Sequence, residues 1–213
     1  MEYRMGYETE LNKNKYFSVA VNWLCEHFEF EDIVETGTFM GTGSTTVFAR
    51  TGIKTTTIEC NKQRAEQATQ NLSKYPNVTV INGLSMDRKG SVEFILTDDH
   101  EFPWSVQRDV PSKDTERDFY TREVNVECPT ENVLPMLINN DNNQLVFLDS
   151  AGGMGFYEFK EGLMTLQGDY LKQKTVIFDD VNHIKHYRSV KLLEDAGYHV
   201  NYDWDLRFAW AKL

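Results

Sequence analysis

The chain has 213 residues, with 22 Lys and Arg against 33 Asp and Glu, for a formal net charge of −11. That excess of acid argues against the nucleic-acid backbone as a partner and suits a small, neutral or cationic one. The length predicts one domain, 1–213, able to bury roughly 70% of its unfolded surface without staples.

Leu11, Phe17, Val21, Leu24 and Phe28 recur at near-helical spacing and predict an amphipathic helix ahead of the first strand. Strand one is expected at Ile33–Thr36, followed by a glycine-rich bend and a helix over Ser44–Arg50 that stops near Gly52. Strand two, Thr55–Glu59, is rich in β-branched residues. Asn61 is placed to cap a helix in which Ala65, Ala68 and Leu72 share one face. Pro76 and Asn77 make a turn into strand three, Val78–Ile81.

The stretch 87–125 is charged, aromatic and irregular, with Phe102, Trp104, Phe119 and Tyr120 among many acids and bases. A structureless loop of that length is unusual in a compact domain, so it reads as an insertion or lid, aided by Tyr3, Tyr7 and Tyr16. Val92–Leu96 and Glu123–Glu127 are expected as short strands at its ends. A helix starts near Thr130 and carries Val133, Leu134 and Leu137.

Strand four, Gln144–Leu148, is an apolar run ending in Asp149. A helix is expected over Tyr157–Leu171, and strand five, Thr175–Phe178, ends in Asp179 and Asp180. A helix with Val190 and Leu193 stops near Gly197. Tyr198–Tyr202 and Leu206–Lys212 are joined by a short connection, which requires an antiparallel pair. The pattern is an α/β fold: a doubly wound, mainly parallel seven-stranded sheet with a C-terminal antiparallel hairpin.

Cys25, Cys60 and Cys128 are few, odd in number and without metal-type spacing, which predicts a reduced, cytoplasmic setting. The opening residues are too polar for a signal peptide, and no apolar run approaches the roughly 20 residues of a membrane helix. Neither nucleic acid nor membrane is expected as a partner.

Four predicted strands finish in acids: Glu35, Glu59, Asp149 and the pair Asp179–Asp180. In a parallel sheet the carboxyl ends lie on one edge, so these acids are expected to converge there. The bend after Glu35 reads T-G-T-F-M-G-T-G-S-T. Its glycines permit close approach of backbone to ligand, and the following helix offers unpaired N–H groups. An acid at the end of strand two, here Glu59, accepts hydrogen bonds from ribose hydroxyls in nucleoside sites.

E-T-G-T-F-M-G-T-G-S-T resembles the first motif of the class I S-adenosylmethionine-dependent methyltransferases, and T-I-E-C-N resembles their second. The closing D-A-G-Y-H-V-N-Y-D-W-D-L-R-F-A-W-A-K-L resembles the antiparallel last strands of that family. The resemblance runs from Glu35 to Leu213, interrupted by 87–125. It implies S-adenosylmethionine as cofactor and methyl transfer to a small-molecule acceptor through oxygen.

By this resemblance Gly37, Gly41 and Gly43 pass near the methionine portion, Glu35 sits close to its amino group, and Glu59 holds the ribose. Asn82 or Ser85 lies near adenine, where many relatives carry an acid. Thr42, Ser44 or Thr45 supplies a hydroxyl, and Thr38, Cys60, Gly83 and Asp149 complete the expected cofactor contacts.

In catechol-type and macrocin-type O-methyltransferases, an acid after strand four and an Asp-Asp or Asp-Asn pair after strand five hold a divalent ion. Asp149, Asp179 and Asp180 match that placement, so the resemblance implies Mg²⁺ or a similar cation. Asn182 is a further ligand or a helix cap. Asp149 and His183 are the expected catalytic residues. His186 is a weaker candidate base, and Lys185 and Arg188 are expected on a solvated helix face. Two rival functions are an NAD-dependent oxidoreductase, whose G-x-G-x-x-G spacing the bend lacks, and a non-catalytic nucleoside-binding module.

Overall fold

A computed structural model describes residues 15–98, 113–151, 153–166, 169–182, 185–203 and 207–213. Seven strands form one sheet in the order β3-β2-β1-β4-β5-β7-β6. They are β1 (Asp32–Thr36), β2 (Lys54–Glu59), β3 (Val78–Asn82), β4 (Gln144–Leu148), β5 (Lys174–Asp179), β6 (Asn201–Asp203) and β7 (Phe208–Lys212). The first five are parallel; β7 runs antiparallel to β5 and to β6. The strand order reverses between β1 and β4, and open α/β sheets bind ligands in the crevice outside such a switch point.

The parity of β1 separates two cores. Ile33 joins Phe17, Val21 and Leu24 of α1 (Lys15–Phe28) and Phe48 of α2 (Ser44–Arg50) on one face. Val34 joins the larger core on the other face, with Leu134, Phe159 and Leu193. Alternate strand residues point to opposite faces, so Glu35 follows Ile33 toward α2. The Asn61 side chain caps α3 (Lys62–Leu72) by accepting from the Arg64 N–H at 3.1 Å, and Ala65, Ala68 and Leu72 are buried, as expected.

Two expectations fail within 87–125. Val92–Leu96 lies in α4 (Arg88–Thr97), whose start is capped by Asp87 accepting from the Gly90 N–H at 2.6 Å. Glu123 and Val124 end α5 (Lys113–Val124) rather than opening a strand. Short apolar runs do not distinguish strand from helix, and the Asp87 cap decides for helix. Phe102, Trp104, Tyr3, Tyr7 and Leu11 lie outside the described residues.

α6 (Val133–Ile138) precedes β4. The long helix expected over Tyr157–Leu171 is instead three pieces: α7 (Gly153–Tyr157), a π-helical turn (Glu158–Leu163) and the short α8 (Asp169–Lys172). α9 (Tyr187–Asp195) leads to the closing hairpin. Among the described residues, no helix is long and apolar enough to cross a membrane.

Candidate active site

The bend after β1 is held by backbone as much as by side chains. The N–H groups of Gly37 and Thr38 both donate to the Ile58 carbonyl, at 3.1 and 3.2 Å. Gly37 has φ +79°, and a Cβ there would collide with the Asp149 carbonyl, so the close approach of β1 to β4 requires glycine. Gly41, at φ +70°, lies against the Leu72 side chain of α3, and Gly43 precedes α2. Thr38 turns inward and shares a hydrogen bond with Thr57.

Glu35 is 0% exposed beneath this bend. The hydroxyls of Ser44, Thr45 and Thr57 all donate to its carboxylate, the last two at 2.6 Å. Burial pushes its pKa up, against the pull of the three hydroxyls. Its carboxylate therefore builds the bend from below and does not line the pocket, unlike the contact expected for it. Ser44 and Thr45 spend their hydroxyls on the same task; Thr46 donates to the Gly41 carbonyl at 2.9 Å.

A pocket of about 130 Å³ opens at the carboxyl ends of β1, β2, β3 and β4. Gly37, Glu59, Cys60, Gly83, Ser85 and Asp149 line it. Glu59 accepts from the backbone N–H groups of Phe39 and Asn61, both at 2.8 Å. Each carboxylate oxygen accepts two hydrogen bonds, so this leaves capacity toward the pocket. Burial raises the pKa of Glu59 and pushes the neighbouring Cys60 thiol up to about 12. Asn82 does not line the pocket: its amide donates to the carbonyls of Glu59 and Cys60, at 2.9 and 3.1 Å, and ties β2 to β3.

The stretch 87–125, expected as an insertion or lid, supplies one wall, in a helix that sequence reasoning missed. Tyr120, Glu123 and Val124 of α5 close the pocket opposite the sheet edge. An Arg64–Glu123 ion pair at 2.9 Å clamps that helix to α3, and the Arg64 guanidinium lies 4.9 Å from the centre of the Phe39 ring. The two charges are far apart in the chain, and no local pattern links them. Arg188 likewise leaves the solvated face expected for it: it holds Asp98 at 2.7 and 3.0 Å and covers Phe156 at 3.9 Å.

Asp149, Asp179 and Asp180 do converge, around Lys185. The Lys185 ammonium hydrogen-bonds Asp149 and lies 3.6 Å from Asp180 and 3.9 Å from Asp179. Its side chain is only 6% exposed, which corrects its expected place on a solvated face. Asp180 is also paired with Arg207. Burial and the neighbouring carboxylates push Asp149 up to about 6 and Asp179 well above its ordinary value, while the same carboxylates raise Lys185.

The three carboxylates thus already face two cations of the chain. The donor set does not fit the divalent ion that the resemblance implied. Among the described residues, no group of three or more His, Cys, Asp or Glu is arranged to hold a metal.

His183 lies outside the described residues. His186 is 0% exposed, with Nε2 donating to the Leu148 carbonyl at 2.8 Å and Nδ1 at 3.0 Å from the Ser189 hydroxyl. Both ring nitrogens are engaged, so its role is to anchor this loop to the end of β4. Asn182 is half-buried.

A further carboxylate, absent from the expectations, is buried beside the ends of β1 and β4. Glu158 opens the π-helical turn and is 0% exposed. It accepts from Thr36 at 2.9 Å, from Ser85 and from Ser150. Thr36 in turn accepts from the Asp149 N–H at 3.1 Å. Burial raises the pKa of Glu158. The π-turn aims this acid inward, and such turns frequently occur at functional sites.

No protein-family model matches the sequence, and no curated protein matches it. Solved structures do. A Staphylococcus aureus protein named a caffeoyl-CoA O-methyltransferase aligns with TM-score 0.56 at 18% identity, covering 93% of this chain and 84% of that one. Cofactor-bound Rv0187 from MTB aligns with TM-score 0.54 at 16% identity, covering 93% and 79%. A Klebsiella pneumoniae protein named an O-methyltransferase aligns with TM-score 0.51 at 16% identity, covering 97% and 87%. The chain has the Rossmann-like fold of the class I S-adenosylmethionine-dependent methyltransferases, which its motifs resembled.

Proposed function

We propose that this protein transfers a methyl group from S-adenosylmethionine to an oxygen of a small-molecule acceptor. The observation that carries the reading is the pocket at the sheet's switch point, where the glycine bend, Glu59 and Asp149 line one cleft. When bound, the sulfonium supplies an already activated methyl. The chain's task is then to hold a nucleophile in line with it, and positioning of that kind supplies roughly 7–11 kcal/mol.

Glu59 is assigned to the ribose hydroxyls, on its buried carboxylate and its place at the end of β2. Gly83 and Ser85 are assigned to the adenine side, and the backbone around Gly37 to the methionine side. The Asp149 carboxylate faces the acceptor end, where Lys185 fixes its orientation. Tyr120 and Glu123 of α5 exclude water from the cleft, which strengthens the electrostatics inside it. The stretch 87–125, of which α5 is part, is proposed as the lid, and a cytoplasmic setting accords with the cysteine usage.

The test is calorimetric titration of S-adenosylhomocysteine into wild-type protein and into Glu59→Ala. Saturable binding by wild type, weakened at least ~10-fold in the variant, is expected. Heat on titration with NAD in place of the nucleoside would instead favour an oxidoreductase. Cofactor binding without a methylated product from a broad acceptor panel would favour a binding module.

A further inference from the structure

We propose that Lys185 is the resident cation of the aspartate cluster, occupying the position where a divalent ion would sit, so that the site takes no metal. The seat is built rather than incidental. His186, the next residue, is fixed by the Leu148 carbonyl at 2.8 Å and lies against Phe178 with ring centres 4.8 Å apart. Leu148 directly precedes Asp149, so the same anchor sets Lys185 against that carboxylate.

Gly155 of α7 makes the room. A Cβ there would stand 2.7 Å from His186 Nε2 and 2.8 Å from Lys185 Cγ. Three carboxylates around one ammonium, with Arg207 on Asp180, form a network in which two cations of the chain already sit among the three acids. A hard dication needs those same oxygens and several more. It would enter only by expelling an ammonium that is itself almost wholly buried, at the cost of breaking a buried pair. One fixed positive charge then stands at the acceptor end of the cleft, where an ion would bring two. The consequence for methyl transfer rests on the function proposed above; the cation assignment does not.

The test is a Mn²⁺ titration of the full chain, with and without S-adenosylhomocysteine, followed by the paramagnetic resonance signal of the free ion. Wild type is expected to leave that signal as it is in buffer. Lys185→Met, its folding checked by a circular dichroism melt, is expected to bind Mn²⁺ at least ~10-fold more tightly than wild type. Lys185→Arg, which keeps the charge, is expected to gain nothing.

Wild-type protein that binds Mn²⁺ in a manner lost in Asp179→Asn overturns the proposal. So does a folded Lys185→Met without any gain. If Lys185→Met does not fold, the wild-type and Asp179→Asn titrations decide alone. Calorimetry with S-adenosylhomocysteine on the same wild-type sample keeps the two ideas apart, because absent cofactor binding counts against methyl transfer and leaves the Mn²⁺ result to judge the cation.

Discussion

Glu35 and Asp149 stand at the ends of neighbouring strands, yet their negative charges are accommodated differently. Around Glu35 three hydroxyls donate to a carboxylate with no exposed surface, and among the described residues no cation is paired with it. Around Asp149 the partner is an ammonium, shared with Asp179 and Asp180. The first arrangement makes a rigid floor under the glycine bend. The second places a fixed charge beside the cleft. A carboxylate at a strand end is therefore not one device: its neighbours decide whether it is sealed beneath the bend or lines the pocket.

The largest expected effect is at the floor. Glu35→Ala leaves Ser44, Thr45 and Thr57 buried without their acceptor. It is expected to cost about 3 kcal/mol or more in denaturant unfolding. A loss under about 1 kcal/mol would show that the hydroxyls are satisfied elsewhere. Lys185→Met tests the other region. Breaking a buried pair costs about 3–5 kcal/mol, and the lower end is expected here because Arg207 stays on Asp180.

Gly37→Ala probes the seam between the two. The left-handed φ and the Asp149 carbonyl together forbid a Cβ, so a loss of about 1–3 kcal/mol and a large drop in S-adenosylhomocysteine affinity are expected together. Unchanged affinity would detach the bend from the cofactor.

The smallest effect is in pH. Burial raises the pKa of Glu35 and Glu158 above 4.5, and lifts Asp149 to about 6. A carboxyl raised on folding contributes stability that is fully present below its unfolded pKa and is lost as pH rises through the folded one. The melting temperature is expected to decline between about pH 4 and pH 7, the window that Asp149 sets, and Glu158→Gln is expected to flatten that decline. A wild-type melting temperature that rises over this range would contradict the assignment.

The sheet was legible because its signals are local. β-branched runs marked β1 and β2, and an apolar run β4, to within a residue, Ser44–Arg50 matched α2, and Asn61 announced its helix. The convergence of the acids followed from parallel topology alone. What stayed hidden depends on contacts between distant segments. Lys185 reads as a surface lysine until the fold brings it beside Asp149. Glu158 reads as a helix position until the π-turn directs it toward Thr36 and Ser85. The wall from α5 needed both the Asp87 cap of α4 and the Arg64–Glu123 clamp. The composition of 87–125 pointed to neither helix.

The most direct test of the central claim is a crystal structure of this chain grown with S-adenosylhomocysteine. The account predicts the ribose hydroxyls on the Glu59 carboxylate, adenine beside Gly83 and Ser85, and the homocysteine against the bend at Gly37. Density for the nucleoside elsewhere on the molecule, with Glu59 still engaged by Phe39, Cys60 and Asn61 and by no ribose hydroxyl, would contradict it.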